Sequence, residues 1–434
     1  MARALRGQLR AKSRLFFLLV IISFIPMTYQ IITLPKQLRL VVGEEQEICI
    51  RQPLAAFLAA EDPITGNHQR SDGWQQVTQV RPTRVGKSRL QVRLFGLIPI
   101  REINVEVIPQ LRVSVGGQAV GILISSHGVL ITRILPVDTE EGRKYPAKEA
   151  GLEPGDVILS IDSQPIYQVE QVGKMVEAAG KSGRKARLEI EREGKKQIKY
   201  LEPAVSKAGQ HLMGLEIEDP AAGVGTLTFY DPVSRRYGAL GHVITSTSTG
   251  SVFQIRTGRI VPASIATVEA GKRGKPGEKI GTFTASSNLS LGTIENNSQF
   301  GIYGKLFRLP DHSFYQKTFP VAMAHQVEEG PAELLTVLDG EKVEKFQVQL
   351  VKVERQNRPA VKGLVIKVTD PDLLKRAGGI VQGMSGSPII QDGKFVGAVT
   401  HVFVNDPTRG YGILAEWMVQ EAGLFSREEL SKAS

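Results

Sequence analysis

The stretch GMSGSPIIQDGKFVGAVTH, residues 383 to 401, decides how this chain is read. It sets a serine between two glycines and follows it with the apolar pair Ile389-Ile390. A turn at Gln391-Asp392-Gly393 and a second apolar run come next. A serine hydroxyl is a weak nucleophile until a base removes its proton. In a tight glycine turn the backbone N–H groups of Gly383 and Ser385 can converge on one point, where the negative oxygen of a tetrahedral intermediate would sit. Ser385 is the candidate nucleophile, because Gly386 lies on its far side. Ser387 is the rival, and a plain Gly-Ser turn is the competing reading.

A nucleophile of this kind needs a base. Seven histidines are available: His68, His127, His211, His242, His312, His325 and His401. His242, in RRYGALGHVITSTSTG, follows the glycines Gly238 and Gly241 and opens a Val-Ile run far upstream of Ser385. It is the best fit. His401 alternates with apolar residues in AVTHVFVND and reads as a partly buried strand histidine. The orienting carboxylate is less defined. Asp370, in VIKVTDPDLL, ends an apolar strand close before the serine, with Asp372, Asp231, Asp311 and Asp339 as alternatives. No H-E-x-x-H motif is present, and the reading calls for no metal and no organic cofactor.

Upstream, EAGLEPGDVILSIDSQPI, residues 149 to 166, joins a Gly151 turn to Pro154-Gly155-Asp156 and the alternating strand Val157, Leu159, Ile161. Val169, Val172, Val176 and Ala179 then recur at helical spacing. This region resembles a PDZ domain, expected over 108–203. Such domains add an extended peptide to an open sheet edge. The expected receptive strand lies in GGQAVGILISS, at Val120, Gly121, Ile122, Leu123 and Ile124. Residues 36–107 alternate as a small β domain with a polar loop near 60–88, and they carry no chemical motif. Residues 204–434 read as a β peptidase domain with many turns and a helix only near EWMVQEAG.

Composition bounds the rest. An apolar fraction of 41% with 23% charged residues is that of a globular protein. Half of the net charge of +10 lies at Arg3, Arg6, Arg10, Lys12 and Arg14, and the rest forms no basic stripe with aromatics, which argues against nucleic-acid binding. Those cations precede LFFLLVIISFI, residues 15 to 25, with weaker apolar character to Ile32. Residues 1–35 thus read as a basic tail and an uncleaved signal anchor, with the remainder exported. The single cysteine rules out an internal disulfide. The fold class expected is mainly β and multidomain: anchor, small β domain, PDZ domain and a chymotrypsin-like β-barrel peptidase.

The pattern G-x-S-G-S-P resembles that of chymotrypsin-like serine peptidases, in which Ser385 holds the nucleophile's position. The PDZ-first order and GIVQGMSGSPIIQDGKFVGAVTHVFVNDPTRGYGI, residues 379 to 413, closely resemble the stage IV sporulation protein B peptidases of endospore-forming bacteria. That resemblance implies a self-cleaving serine endopeptidase exported from the forespore to the space between the two spore membranes. It implies cleavage of a membrane-bound regulator, after which an intramembrane protease activates a late mother-cell sigma factor. It assigns the catalytic roles to His242, Asp370 and Ser385. Two other readings remain at this stage: a membrane-anchored PDZ adaptor without catalysis, and a general exported quality-control protease.

Overall fold

The computed structural model describes residues 28, 31, 34 and 36–425, except 52, 59–63, 73–74, 126–127, 167–168, 193, 219–221, 246–251, 253–256, 284–289, 312–313 and 357. The expected basic tail and anchor, residues 1–35, lie almost wholly outside these. Among the described residues no helix is long and apolar enough to cross a membrane.

The chain divides into two compact units. In the first, Gln37–Val41 runs parallel to Ile98–Ile108, which pairs in turn with Gly86–Leu94, and that strand with Leu54–Leu58. Leu90 and Val92 are buried while Arg89 faces outward, so the period-2 alternation in the sequence becomes one buried face. A second sheet pairs Gln46–Arg51 with Gln75–Pro82 and Gln75–Pro82 with Ile64–Asp72. Ile50 and Val80 from it join Leu40, Leu90, Val105 and Val107 in one core. The polar loop expected near 60–88 is therefore mostly strand. Ladder bonds are backbone bonds, so a polar stretch forms them where a partner strand is offered.

The second unit holds residues 112–354 and 360–425. A PDZ-type sheet runs in the order Lys195–Leu201, Ala186–Arg192, Val157–Ile161, Val129–Ile134, Leu215–Glu218. The helix Val169–Lys181 packs Val172, Val176 and Ala179 against Ile158, Leu188 and Ile190 of that sheet. The motif turn is closed by Asp156, whose carboxylate is 1% exposed. It accepts from Arg192 Nε at 2.7 Å, from the same guanidinium's Nη2 at 2.8 Å and from the Glu153 N–H at 2.9 Å. Gly151 and Gly155 take φ of +71° and +97°, which is why glycines stand there.

The peptidase residues form two further sheets. In the first, Glu278–Phe283, Thr257–Glu269, Ala119–Ser125, Ala222–Tyr230, Arg236–Ala239 and Gly301–Lys305 are neighbours in that order. The second is a closed barrel of Gly330–Val337, Val343–Val353, Leu364–Val368, Asp406–Leu414, Lys394–Phe403 and Pro388–Gln391. Alternating Leu334, Val348, Leu350, Ile366 and Ala398 fill its interior. The helix near EWMVQEAG is present as Ala415–Glu421. A second helix, Pro371–Ala377, was not expected. It is only seven residues long and depends on the cap at Asp370 more than on apolar periodicity.

One expectation is corrected. Ala119–Ser125 is not a PDZ strand but the middle of the first peptidase sheet, bonded to Ala222–Tyr230 on one side and Thr257–Glu269 on the other. The PDZ sheet spans 129–218 and sits in the chain between two neighbouring strands of that peptidase sheet. The expected boundaries at 108 and 203 shift accordingly.

Candidate active site

The quoted stretch forms a turn whose shape depends on its glycines. Gly383 and Gly386 adopt φ of +88° and +91°. A Cβ at Gly386 would come within 2.3 Å of the Thr226 carbonyl oxygen and 2.5 Å of the Leu240 nitrogen. Space and dihedral therefore both demand glycine there. Thr226, on Ala222–Tyr230, grips the turn twice: its hydroxyl donates to the Gly383 carbonyl at 2.9 Å and its N–H to the Ser385 carbonyl at 3.1 Å. Met384, fully buried, anchors it from below.

The backbone donors of the turn divide into two groups. The Met384, Gly386 and Ser387 N–H groups bond to the carbonyls of Val381, Val399 and Met384. The N–H groups of Gly383 and Ser385 enter no such bond among the described residues. These are the two donors expected at an oxyanion hole. A pair of uncommitted N–H groups beside a serine can stabilise developing negative charge.

Ser385 is half-buried, and its hydroxyl donates to the Thr400 carbonyl at 2.9 Å. Ser387 is excluded as the nucleophile. It is fully buried and donates to Thr336 Oγ1 at 3.0 Å, which also accepts from the Lys279 ammonium at 2.6 Å. Lys279 is buried with no carboxylate beside it among the described residues, and desolvation brings its pKa down to about 7.

His242 follows the end of Arg236–Ala239, after Leu240 and Gly241 at φ of +68° and +72°. This left-handed pair swings the histidine out of the sheet. A Cβ on Gly241 would lie 3.0 Å from Thr400 Cγ2, so the backbone before His242 passes directly beside the strand that carries the Ser385 hydroxyl's acceptor. His242 Nδ1 lies 2.9 Å from the Val243 carbonyl. With the proton on Nδ1, Nε2 keeps its lone pair. Burial holds the imidazole below its usual pKa and so keeps it neutral and able to act as a base. Gly241, just before His242, and the Ser385 hydroxyl both lie against Thr400, and among the described residues no hydrogen bond joins Ser385 to the His242 ring in this conformation.

The sequence did not flag the next contact. The His401 ring, on Lys394–Phe403, lies 5.0 Å from the His242 ring, centroid to centroid, at a tilt of 42°. Both rings line a cavity of about 420 Å³ with Val243, Ile244, Thr245, Gln299 and Val361. His401 alternates with apolar residues as expected, yet its side of the strand opens onto this cavity and the residue is exposed.

Asp370 is placed elsewhere. Its carboxylate caps Pro371–Ala377, accepting from the Asp372 and Leu373 N–H groups at 2.9 and 3.2 Å and from the Gln347 N–H at 3.1 Å. Those three bonds occupy it, and none reaches His242. Of the alternatives, Asp372 pairs with Arg376 and Asp231 closes its own turn through Ser234.

The PDZ residues are also placed differently from expectation. Val120, Gly121, Ile122 and Leu123 have partners on both sides, and Ile124 is paired with Gly258, so this strand offers no edge. A Cβ on Gly121 would meet the Phe283 ring at 2.5 Å. The strand that is paired on one side only, and whose Leu215 and Ile217 pack on the same core as Val172 and Val176, is Leu215–Glu218. Just before it, the His211 N–H donates to Glu177 of the helix at 2.8 Å. The sequence signal was HLMGLEIE, a glycine followed by alternation, hidden by the boundary assumed at 203.

Residues 209–419 match the family model for the SpoIVB peptidase S55, and residues 137–192 match a PDZ domain model. Two curated relatives carry the description "Probable periplasmic serine endoprotease DegP-like". One, from Pseudomonas fluorescens (strain Pf-5), is 32% identical over 105 residues, or 23% of this chain and 22% of that protein. The other, from Pseudomonas putida (strain W619), is 43% identical over 70 residues, or 16% of this chain and 13% of that protein. The chain thus spans less than a quarter of the length of either relative. A solved structure, the Rv3671c protease from M. tuberculosis in its active form, shares 14% identity at a TM-score of 0.25, covering 46% of this chain and 73% of that one. At that score the likeness carries no argument. Taken with the turn, the matches identify the chain as a PDZ-bearing serine peptidase whose residues 209–419 match the SpoIVB peptidase S55 family model.

Proposed function

We propose that this peptidase is a self-cleaving signalling endopeptidase of sporulation, with Ser385 as nucleophile and His242 as general base. Its substrate is a membrane-bound regulator of an intramembrane protease that activates a late mother-cell sigma factor. It acts on the exported side of the forespore membrane, held there through residues 15–32. The observation that carries the catalytic part is the pair of uncommitted N–H groups at Gly383 and Ser385, with a neutral His242 following Gly241, which packs on the same Thr400 that holds the Ser385 hydroxyl. A chymotrypsin-like arrangement is supported by the histidine following a strand of one sheet and the serine preceding a strand of a closed barrel. The PDZ-first order of the family matches favours signalling over general quality control.

In the reaction, the Ser385 hydroxyl leaves the Thr400 carbonyl and gives its proton to His242 Nε2 as its oxygen bonds to the peptide carbonyl carbon. The two N–H groups hold the oxyanion. His242 then protonates the leaving amine, and water hydrolyses the acyl-enzyme by the same steps reversed. The open edge at Leu215–Glu218 is the place for an extended segment of substrate or of the chain itself.

The test follows wild type and Ser385→Ala full chains on gels over time. Trimming in the wild type alone is the expected result, with one or a few cuts in added unfolded proteins. Equal trimming in both chains would overturn the nucleophile. Broad digestion of unfolded proteins would overturn the signalling role.

A further inference from the structure

The first unit carries an apolar patch that its own core does not use. Gly86–Leu94 and Ile98–Ile108 join through Phe95, Gly96 and Leu97, in the stretch RLFGLIPIR, residues 93 to 101. Phe95 is 71% exposed, Leu97 80%, Ile98 55% and Ile100 37%. Among the described residues these are four of the five large apolar side chains that the first unit exposes, the fifth being Val85. Apolar residues exposed singly are ordinary, but four gathered at one turn mark a contact surface. The backbone adds to the anomaly. Phe95 takes φ of +50° ahead of Gly96 at +72°, a conformation that disfavours a bulky side chain. Phe57 of the neighbouring strand already lies against the turn, where a Cβ on Gly96 would touch its ring at 3.6 Å.

Resting on the anchor reading above, we infer that this hairpin tip is a membrane wedge. Phe95, Leu97, Ile98 and Ile100 seat in the exported-side leaflet of the bilayer that residues 15–32 enter. Three features commit the patch to lipid. The first is where the apolar segment joins the fold. Ile31 and Leu34 pack on the same core as Leu94, and Arg101, one residue after Ile100, donates to the Ile31 carbonyl. The uninterrupted apolar run ends at Ile25, six residues before Ile31, a span of at most about 20 Å of extended chain. The tip therefore stands within reach of the leaflet that this run would leave.

The second feature is charge. RLFGLIPIR places Arg93 and Arg101 on the two flanks of the apolar residues and contains no carboxylate. Cations bracketing an apolar tip match anionic headgroups above acyl chains. The third is shape. A protruding turn needs a matching groove in a protein partner, and needs none in a fluid acyl layer. Two attachments, at the segment and at the tip, fix how the first unit meets the membrane. A cut that removed residues 1–32 would leave the second attachment in place.

The experiment reconstitutes the full chain, kept whole by Ser385→Ala, in vesicles of phosphatidylethanolamine and phosphatidylglycerol. A fraction of the lipid carries a photoactivatable diazirine on its acyl chain. After illumination and trypsin digestion, mass spectrometry locates the lipid adducts. Residues 15–36 and residues 94–101 fall in separate tryptic peptides, so the two attachments are read independently. Adducts on both peptides are expected. Adding Phe95→Ser and Leu97→Ser, both at exposed positions, should lower the yield on 94–101 about tenfold and leave that on 15–36 unchanged. Adducts on 15–36 alone would overturn the inference, leave the anchor reading standing and give the tip to a second copy of the chain or another protein. An undiminished yield on 94–101 in the double serine variant would also overturn it. Adducts on neither peptide would overturn the anchor reading, and this inference with it.

Discussion

Lys279 illustrates how much a single residue beside the nucleophile turn can cost. Its methylenes lie against Gly383 and its buried ammonium has one hydroxyl as partner and no counter-ion among the described residues. Desolvation lowers its folded pKa to about 7 from an ordinary value of 10.5. The unfolded chain therefore binds the proton more readily between those values, and the folded state loses stability as pH falls through that window toward 7. Lys279→Met removes the buried charge and leaves Ser387 and Thr336 bonded to each other. Its melting temperature should exceed wild type by more at pH 6 than at pH 9, with a gain of about 1–3 kcal/mol at the lower pH. Equal shifts at both pH values would mean that the folded and unfolded chains hold the same proton, so that burial does not lower the amine's pKa. At the same scale, the tight turn around Ser385 and the left-handed bend before His242 were legible because local glycine patterns mark them. The cap at Asp370 was not legible because a helix cap and a catalytic acid look alike in sequence: both end a strand and precede a proline. His401 was missed because alternation reveals which face of a strand a residue occupies, not whether that face meets core or cavity.

Elements set by short-range motifs were the readable ones. The PDZ turn is local, and its Gly-x-x-Pro-Gly-Asp residues do what their types suggest. Asp156 goes further than a turn residue, since it locks onto Arg192 at the end of the neighbouring strand. Asp156→Ala leaves the guanidinium without its main partner and should cost about 3 kcal/mol of PDZ stability, seen as a lower urea midpoint. A change under 1 kcal/mol would show that solvent compensates the pair, as it does for exposed ones. The peptide strand was not readable, because Ala119–Ser125 and Leu215–Glu218 are both short alternating runs after a glycine. Only long-range pairing tells which lies in the middle of a sheet and which lies at an edge. The same limit hid the strands Ile64–Asp72 and Gln75–Pro82 within a polar stretch.

Across the whole peptidase unit, the PDZ sheet is an insertion between Ala119–Ser125 and Ala222–Tyr230, adjacent strands of one sheet. The edge strand Leu215–Glu218 runs almost directly into Ala222–Tyr230, whose Thr226 holds both carbonyls of the nucleophile turn. A segment bound at the PDZ edge is thus three residues of chain from the strand that holds the 383–387 turn. Thr226→Val keeps the volume and removes the grip on Gly383. It should lower the acylation rate about tenfold, whereas Thr226→Ser should retain it. Equal rates in both would mean that the barrel alone holds the turn.

The central claim is that residues 383–387 form a nucleophile turn served by His242. The most direct measurement treats the full chain with a fluorophosphonate and locates the adduct by peptide mass spectrometry, in wild type and in His242→Ala. The account predicts a single adduct on Ser385 that is lost or greatly slowed in His242→Ala. An adduct on another residue, or labelling of Ser385 at the wild-type rate without His242, would contradict it.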